Sequence, residues 1–102
     1  MEFKKIKDPY INRLFDAILL LDNREDCYRF FEDICTIGEI QSMAQRLQVA
    51  EMLKEGRTDT DIAQATGAST ATISRVKRFL NYGANGYNII LERLAKTNQQ
   101  ED

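Results

Sequence analysis

Apolar residues recur at helical spacing along most of the chain, and no stretch alternates convincingly in the manner of a strand. Pro9 follows Asp8 and suits the first turn of a helix. From there Ile11, Leu14, Phe15, Ile18 and Leu19 form a stripe, and Leu20 and Leu21 widen it. A helix apolar over most of its circumference needs more than one neighbour. In so short a chain a partner subunit is a ready source of the second. The segment "NREDCYRFFEDIC" follows, with Cys27, Phe30, Phe31 and Ile34 on one face. "TIGE", Thr36 to Glu39, then reads as a capping box, with Thr36 as N-cap and Glu39 reaching back. Behind it Ile40, Met43, Leu47, Ala50 and Leu53 line one face of a long helix, which Gly56 closes.

The segment "DIAQATGASTATISRVKRF" carries more information. A short helix from about Thr60 to Thr66 buries Ile62 and Ala63, and Gly67 breaks it where the backbone must turn. Ser69 is a good N-cap for a second helix that buries Ile73 and Val76. Counting Asp59 as first, Ala63 is fifth, Gly67 ninth, Ile73 fifteenth and Val76 eighteenth. This is the pattern of a helix-turn-helix: a small residue where the helices cross, glycine at the turn, branched residues locking the pair. The unit spans about residues 59–80. A final helix follows "NYGANG", with Tyr87, Ile90, Leu91, Leu94 and Ala95 on one face.

The 102 residues make one domain, 1–102, with room for a modest core. Charged residues are 29% of the chain, mean hydropathy is −0.44, and no apolar run approaches the roughly 20 residues that cross a bilayer. "FDAILLL" reads as a buried helix rather than a signal-peptide core. Cys27 and Cys35 lie eight apart without metal-ligand spacing, and the chain has no histidine. A zinc site or structural disulfide is not expected, and the commonest general base is missing. No phosphate-cradling glycine motif is present, so the composition points away from an enzyme.

Net charge is −2 and the isoelectric point is near 5.2, unusual for a nucleic-acid binder. Distribution matters more than the sum. Arg75, Lys77 and Arg78 cluster, and no acid lies between Asp61 and Glu92. On the second helix of the turn motif Ser69, Thr70, Ala71, Thr72, Ser74, Arg75 and Arg78 are expected to face outward. Its first turn would enter a major groove. Serine and threonine hydroxyls can bond several base edges, Ala71 and the threonine methyls can touch thymine, and Arg75 can make a bidentate contact to guanine. Lys77 and Arg78, nearer the helix end, suit phosphates. The competing reading is a helical hairpin with a solvated Ser/Thr face.

From Thr36 to Leu80 the chain resembles the Trp repressor superfamily, in particular its YerC/YecD branch. "TIGE", "QRLQVAEMLKEG" and "GASTATISR" carry the resemblance. It implies an all-α fold of about six helices. It also implies a twofold homodimer in which the N- and C-terminal helices of two chains interlock. Two recognition helices would then meet a pseudo-palindromic site with half-sites about one helical turn apart. In Trp repressors the corepressor's indole lies between two arginines, and Arg46 and Arg75 match those positions, with Thr36 matching a pocket threonine. Val76 stands where the family has glycine, and the chain is one residue shorter between Gly56 and Gly67. Both departures count against tryptophan. No cofactor is expected beyond a small-molecule corepressor, for which Thr36, Arg46, Arg75 and Val76 are the candidate lining.

The function expected is a cytoplasmic, bacterial, sequence-specific regulator of transcription, a repressor binding double-stranded DNA as a homodimer. The alternative is a helical protein-interaction or structural dimer without DNA reading, which the acidic balance would suit. No membrane association is expected.

Overall fold

Six α-helices follow one another in the computed structural model, which describes the backbone of residues 8–101 and the side chains of residues 8–97. They are α1 (Pro9–Leu19), α2 (Arg24–Ile34), α3 (Ile37–Lys54), α4 (Asp59–Thr66), α5 (Thr70–Tyr82) and α6 (Gly86–Glu101). No strand occurs among the described residues. The all-α architecture matches the sequence pattern, and no described helix is long and apolar enough to cross a membrane.

Five of the starts are written in polar side chains that accept otherwise unpaired amide protons of a first turn. Asp8 Oδ1 accepts from the Ile11 amide at 2.8 Å, ahead of Pro9. Asn23 Oδ1 accepts from the Asp26 amide at 2.8 Å. The box at α3 is reciprocal: the Glu39 amide donates to Thr36 Oγ1 at 3.1 Å, and the Thr36 amide donates to Glu39 Oε1 at 2.8 Å. Thr58 and Ser69 cap α4 and α5 through the amides of Asp61 and Thr72, each at 3.1 Å.

The Thr36 amide, and after it the Thr36 hydroxyl, hold the Glu39 carboxyl below its ordinary value of 4.5. A carboxyl held low in the folded chain adds stability above its unfolded pKa and loses it as pH falls through the lower folded value. Thr36→Ala removes the hydroxyl partner while leaving the amide. The Glu39 carboxyl is therefore expected to move part of the way back, weakening the acid-side dependence below about 4.5. A carbon-detected titration of Glu39 in both proteins checks the direction.

By its internal packing the chain divides into two compact units, Met1–Ile40 and Gln41–Asp102. In the first, neither α1 nor α2 has a single buried residue. Phe30 and Phe31 meet edge to face at 5.6 Å. Tyr10, Leu19 and Leu20 are 88%, 81% and 78% exposed, and Phe15, Tyr28, Ile34 and Ile37 are also exposed. The stripe along α1 is thus as broad as its sequence implies, and much of it is uncovered within one chain.

The second unit holds the core. Val49, Ala50 and Met52 of α3 join Ile62 of α4, Ala68 of the turn, Ile73 and Val76 of α5 and Leu91 of α6. Leu47, Leu53, Ala63, Leu80 and Tyr87 pack against this cluster. Here the structure corrects the expected face of α3. Met43 is exposed, while Val49 and Met52 are buried. The second half of α3 is apolar on adjacent strips at 49, 50, 52 and 53, and a periodic count follows only one strip. On α6, Leu91 is buried but Ile90 and Leu94 remain exposed.

Candidate nucleic-acid interface

Two glycines place α5. Gly56 (φ 83°) ends α3 and Gly67 (φ 73°) ends α4, both in the left-handed region that costs glycine least. After Gly67 the chain turns at once into α5, and α4 and α5 pack against each other. Ile62, Ile73 and Val76, the expected locking residues, are almost wholly buried, and Ala63, the small residue expected at the crossing, is half-buried.

Three residues that the sequence reading passed over complete the corner. Thr66 Oγ1 donates to the Ile62 carbonyl at 2.7 Å and accepts from the Ala68 amide at 3.1 Å. Gln45 Nε2, on α3, donates to the Thr66 carbonyl at 3.1 Å. Ala68 is buried beneath the turn. The only local signal for Thr66 is its place at the end of a helix, where a hydroxyl can bond back to the carbonyl four residues earlier.

Along α5 the outward residues separate by how committed they are. Thr70, Ala71, Ser74, Arg75 and Arg78 are exposed. Ser69 is exposed but capping: its Oγ accepts from the Thr72 amide and donates to Thr72 Oγ1 at 3.1 Å. Thr72 is half-buried. Lys77 is held back, since its Nζ lies 3.1 and 3.3 Å from the Asp59 carboxylate oxygens at the start of α4. Arg75 and Arg78 instead stand over the Phe79 ring, with guanidinium carbons 5.8 and 5.5 Å from its centroid.

The Lys77–Asp59 pair is surface-exposed, and pairs of this kind contribute roughly 0–1 kcal/mol. Asp59→Asn is therefore expected to change unfolding by less than about 1 kcal/mol. It also frees a cation on α5 and takes away the acid nearest to it. Binding to duplex DNA should tighten at low salt, with the gain fading as salt rises, which a titration at several salt concentrations reads.

Behind Arg75 lies a cavity of about 290 Å³, lined by Arg46, Arg75, Val76, Phe79, Ala84, Gly86 and Tyr87. The structure brings Arg46, Arg75 and Val76 together around it, and Arg46 is otherwise an exposed residue of α3. The hydroxyl of Thr36 is engaged as the N-cap of α3. Val76 is 1% exposed and belongs to the core.

Comparison with known proteins follows the same lines. The family model described as Trp repressor protein matches residues 10–95. The uncharacterized protein YerC of Bacillus subtilis (strain 168) is 56% identical over 97 residues, covering 95% of this chain and 93% of that protein. The crystal structure of a Trp repressor candidate from Staphylococcus aureus superposes with a TM-score of 0.89 at 56% identity, covering 93% of this chain and 95% of that one. A TrpR-like protein from Eubacterium eligens ATCC 27750 gives 0.88 at 56% identity, covering 91% and 96%.

Proposed function

The chain belongs to the Trp repressor protein family, of helix-turn-helix DNA-binding regulators rather than enzymes, and from that premise we propose that it is a sequence-specific cytoplasmic repressor that binds a pseudo-palindromic operator as a homodimer. One observation carries the reading. Across α4, Gly67 and α5 the residues that lock the helices are buried, while Thr70, Ala71, Ser74, Arg75 and Arg78 face outward. No acid interrupts residues 62–91. A hairpin serving only as a corner has no need of an exposed row that combines hydroxyls, a methyl and arginines.

In this reading Thr70, Ala71 and Ser74 touch base edges, with Ser69 and Thr72 holding the first turn in register. Arg75 reads guanine, and Arg78, joined by Lys77 when Asp59 releases it, binds phosphate. The uncovered apolar face of α1 and α2 supports a second copy of the chain as partner. Two copies give two reading helices, and a repressor acts by occupying DNA that polymerase needs.

Selection of bound sequences from random double-stranded DNA tests the proposal. The expected result is a two-part motif with half-sites about one helical turn apart, and an affinity that falls steeply with salt. Absence of any enriched motif, with no duplex binding at low salt, would leave the helical interaction dimer as the better reading.

The cavity beside Arg75 is the place for a small-molecule corepressor. Tryptophan is a poor fit, because Val76 puts a branched side chain where the resemblance to Trp repressors implies glycine, and pockets reject added volume sharply. Calorimetry with millimolar tryptophan is expected to show no binding, and a saturating heat of binding would reinstate it.

A further inference from the structure

Phe79 is exposed to 42%, stands outside the core cluster, and sits one residue after Arg78 and four after Arg75 on α5. A lone exposed phenylalanine is ordinary. This one has two guanidinium carbons over its ring, at 5.8 and 5.5 Å from the centroid, within the range of cation–π attraction. Among the described residues neither arginine is paired with an acid, so the ring is the partner that the two cations share. Arg75 and Arg78 are also three apart on one helix, where like charges repel. The negative face of an aromatic ring offsets that repulsion without neutralising either charge, which a carboxylate could not do.

We propose that Phe79 is a positioning residue for DNA recognition: its ring holds Arg75 and Arg78 by cation–π attraction and presents both guanidinium groups to the duplex already ordered. The inference rests on α5 being the reading helix. An arginine is a long side chain with much rotamer freedom, and ordering it only on binding opposes association. A ring that holds it beforehand shifts that cost into folding. Attraction to the ring consumes none of the guanidinium N–H donors, so these stay free for guanine or phosphate.

The test compares Phe79→Leu, which keeps an apolar side chain but loses the ring, with Phe79→Tyr, which keeps the ring. In the free protein, the side-chain proton resonances of Arg75 and Arg78 should be displaced by the ring current in wild type and F79Y and return to ordinary positions in F79L. Against a duplex recovered by selection, F79L should bind roughly 5- to 30-fold more weakly per reading helix, from the two exposed cation–π contacts on each, and F79Y near wild type. The loss should vanish when F79L is made in a chain already carrying Arg75→Ala and Arg78→Ala. Thermal melting should move little, because the ring is outside the core. Unshifted arginine resonances in wild type, or an F79L loss that persists without the arginines, overturns the positioning role while leaving DNA reading intact. A wild type that binds no duplex overturns the reading itself, and the role assigned to Phe79 with it.

Discussion

Ile73→Ala is expected to lower the unfolding free energy by roughly 2–5 kcal/mol, a large share of the roughly 5–15 kcal/mol typical of a domain. Ile73 is 2% exposed and lies in the cluster formed with Val49, Ala50, Met52, Ile62, Ala68, Val76 and Leu91. Removing its outer carbons loses their transfer from water and leaves a void that close-packed neighbours fill only in part. The site has little means of collapse. Gln45 and Thr66 fix the turn on one side, and Ser69 anchors the helix start on the other. The loss should therefore fall in the upper part of the range. Ile73→Val, which keeps most of the volume, should cost only roughly 0.5–1.5 kcal/mol. Urea melts at matched protein concentration read both, as a fall in midpoint with the slope unchanged. An Ile73→Ala loss as small as that of the valine variant would mean that α5 is not locked to the core in the manner described. The folded fraction of either variant should still select the same DNA motif, since Ile73 is buried in the core and offers no surface to a duplex.

The second large effect concerns the opposite face of the same helix. Arg75→Ala is expected to weaken binding to the selected duplex by about 1–3 kcal/mol per reading helix, or roughly 5- to 150-fold, and to relax preference at one base pair of each half-site. A bidentate guanidinium–guanine contact is directional, so its loss shows mostly on the correct sequence. Arg78→Ala should behave differently. It should weaken all duplexes alike and reduce the steepness of the salt dependence by about one counterion per reading helix. Competition titrations on the selected duplex and its single-base variants separate the two patterns. A uniform loss for Arg75→Ala, with base preference untouched, would make Arg75 a phosphate contact and move sequence reading to Thr70, Ala71 and Ser74.

How much of this was legible beforehand depends on the reach of each interaction. The caps at Thr36 and Ser69 bond amides three residues away, so short strings reveal them. Gly67 and the spacing of Ala63, Ile73 and Val76 are likewise local, and the turn motif was readable at once. The resemblance carried by "GASTATISR" agrees with the family match over residues 10–95 and with the 56% identity to YerC. Other features depend on where helices sit in space. Gln45 reaches a carbonyl 21 residues away, and Lys77 finds a carboxylate 18 residues back. The burial of Val49 and Met52 depends on which strip of α3 faces the α4–α5 pair. Phe79 is a different case, within one helical turn of both arginines. Its spacing was visible, but helical periodicity sorts residues into buried and exposed and says nothing about two cations sharing one ring.

The left-handed turn at Gly67 also constrains how the gene can change. Space is open where a β-carbon would stand, so the restriction comes from the backbone angle and not from packing. Asparagine and aspartate are among the few other residues that accept such an angle readily. From any glycine codon, asparagine is at least two base changes away. Aspartate is one change from half of those codons, but it would place a carboxylate in the acid-free stretch beside Arg75 and Arg78. Alanine, serine, arginine, valine and cysteine, also single steps, strain the turn. The conformationally acceptable single-step replacement is therefore the one that would repel a phosphate backbone in the proposed complex, and the residue at position 67 has no quiet single-step replacement.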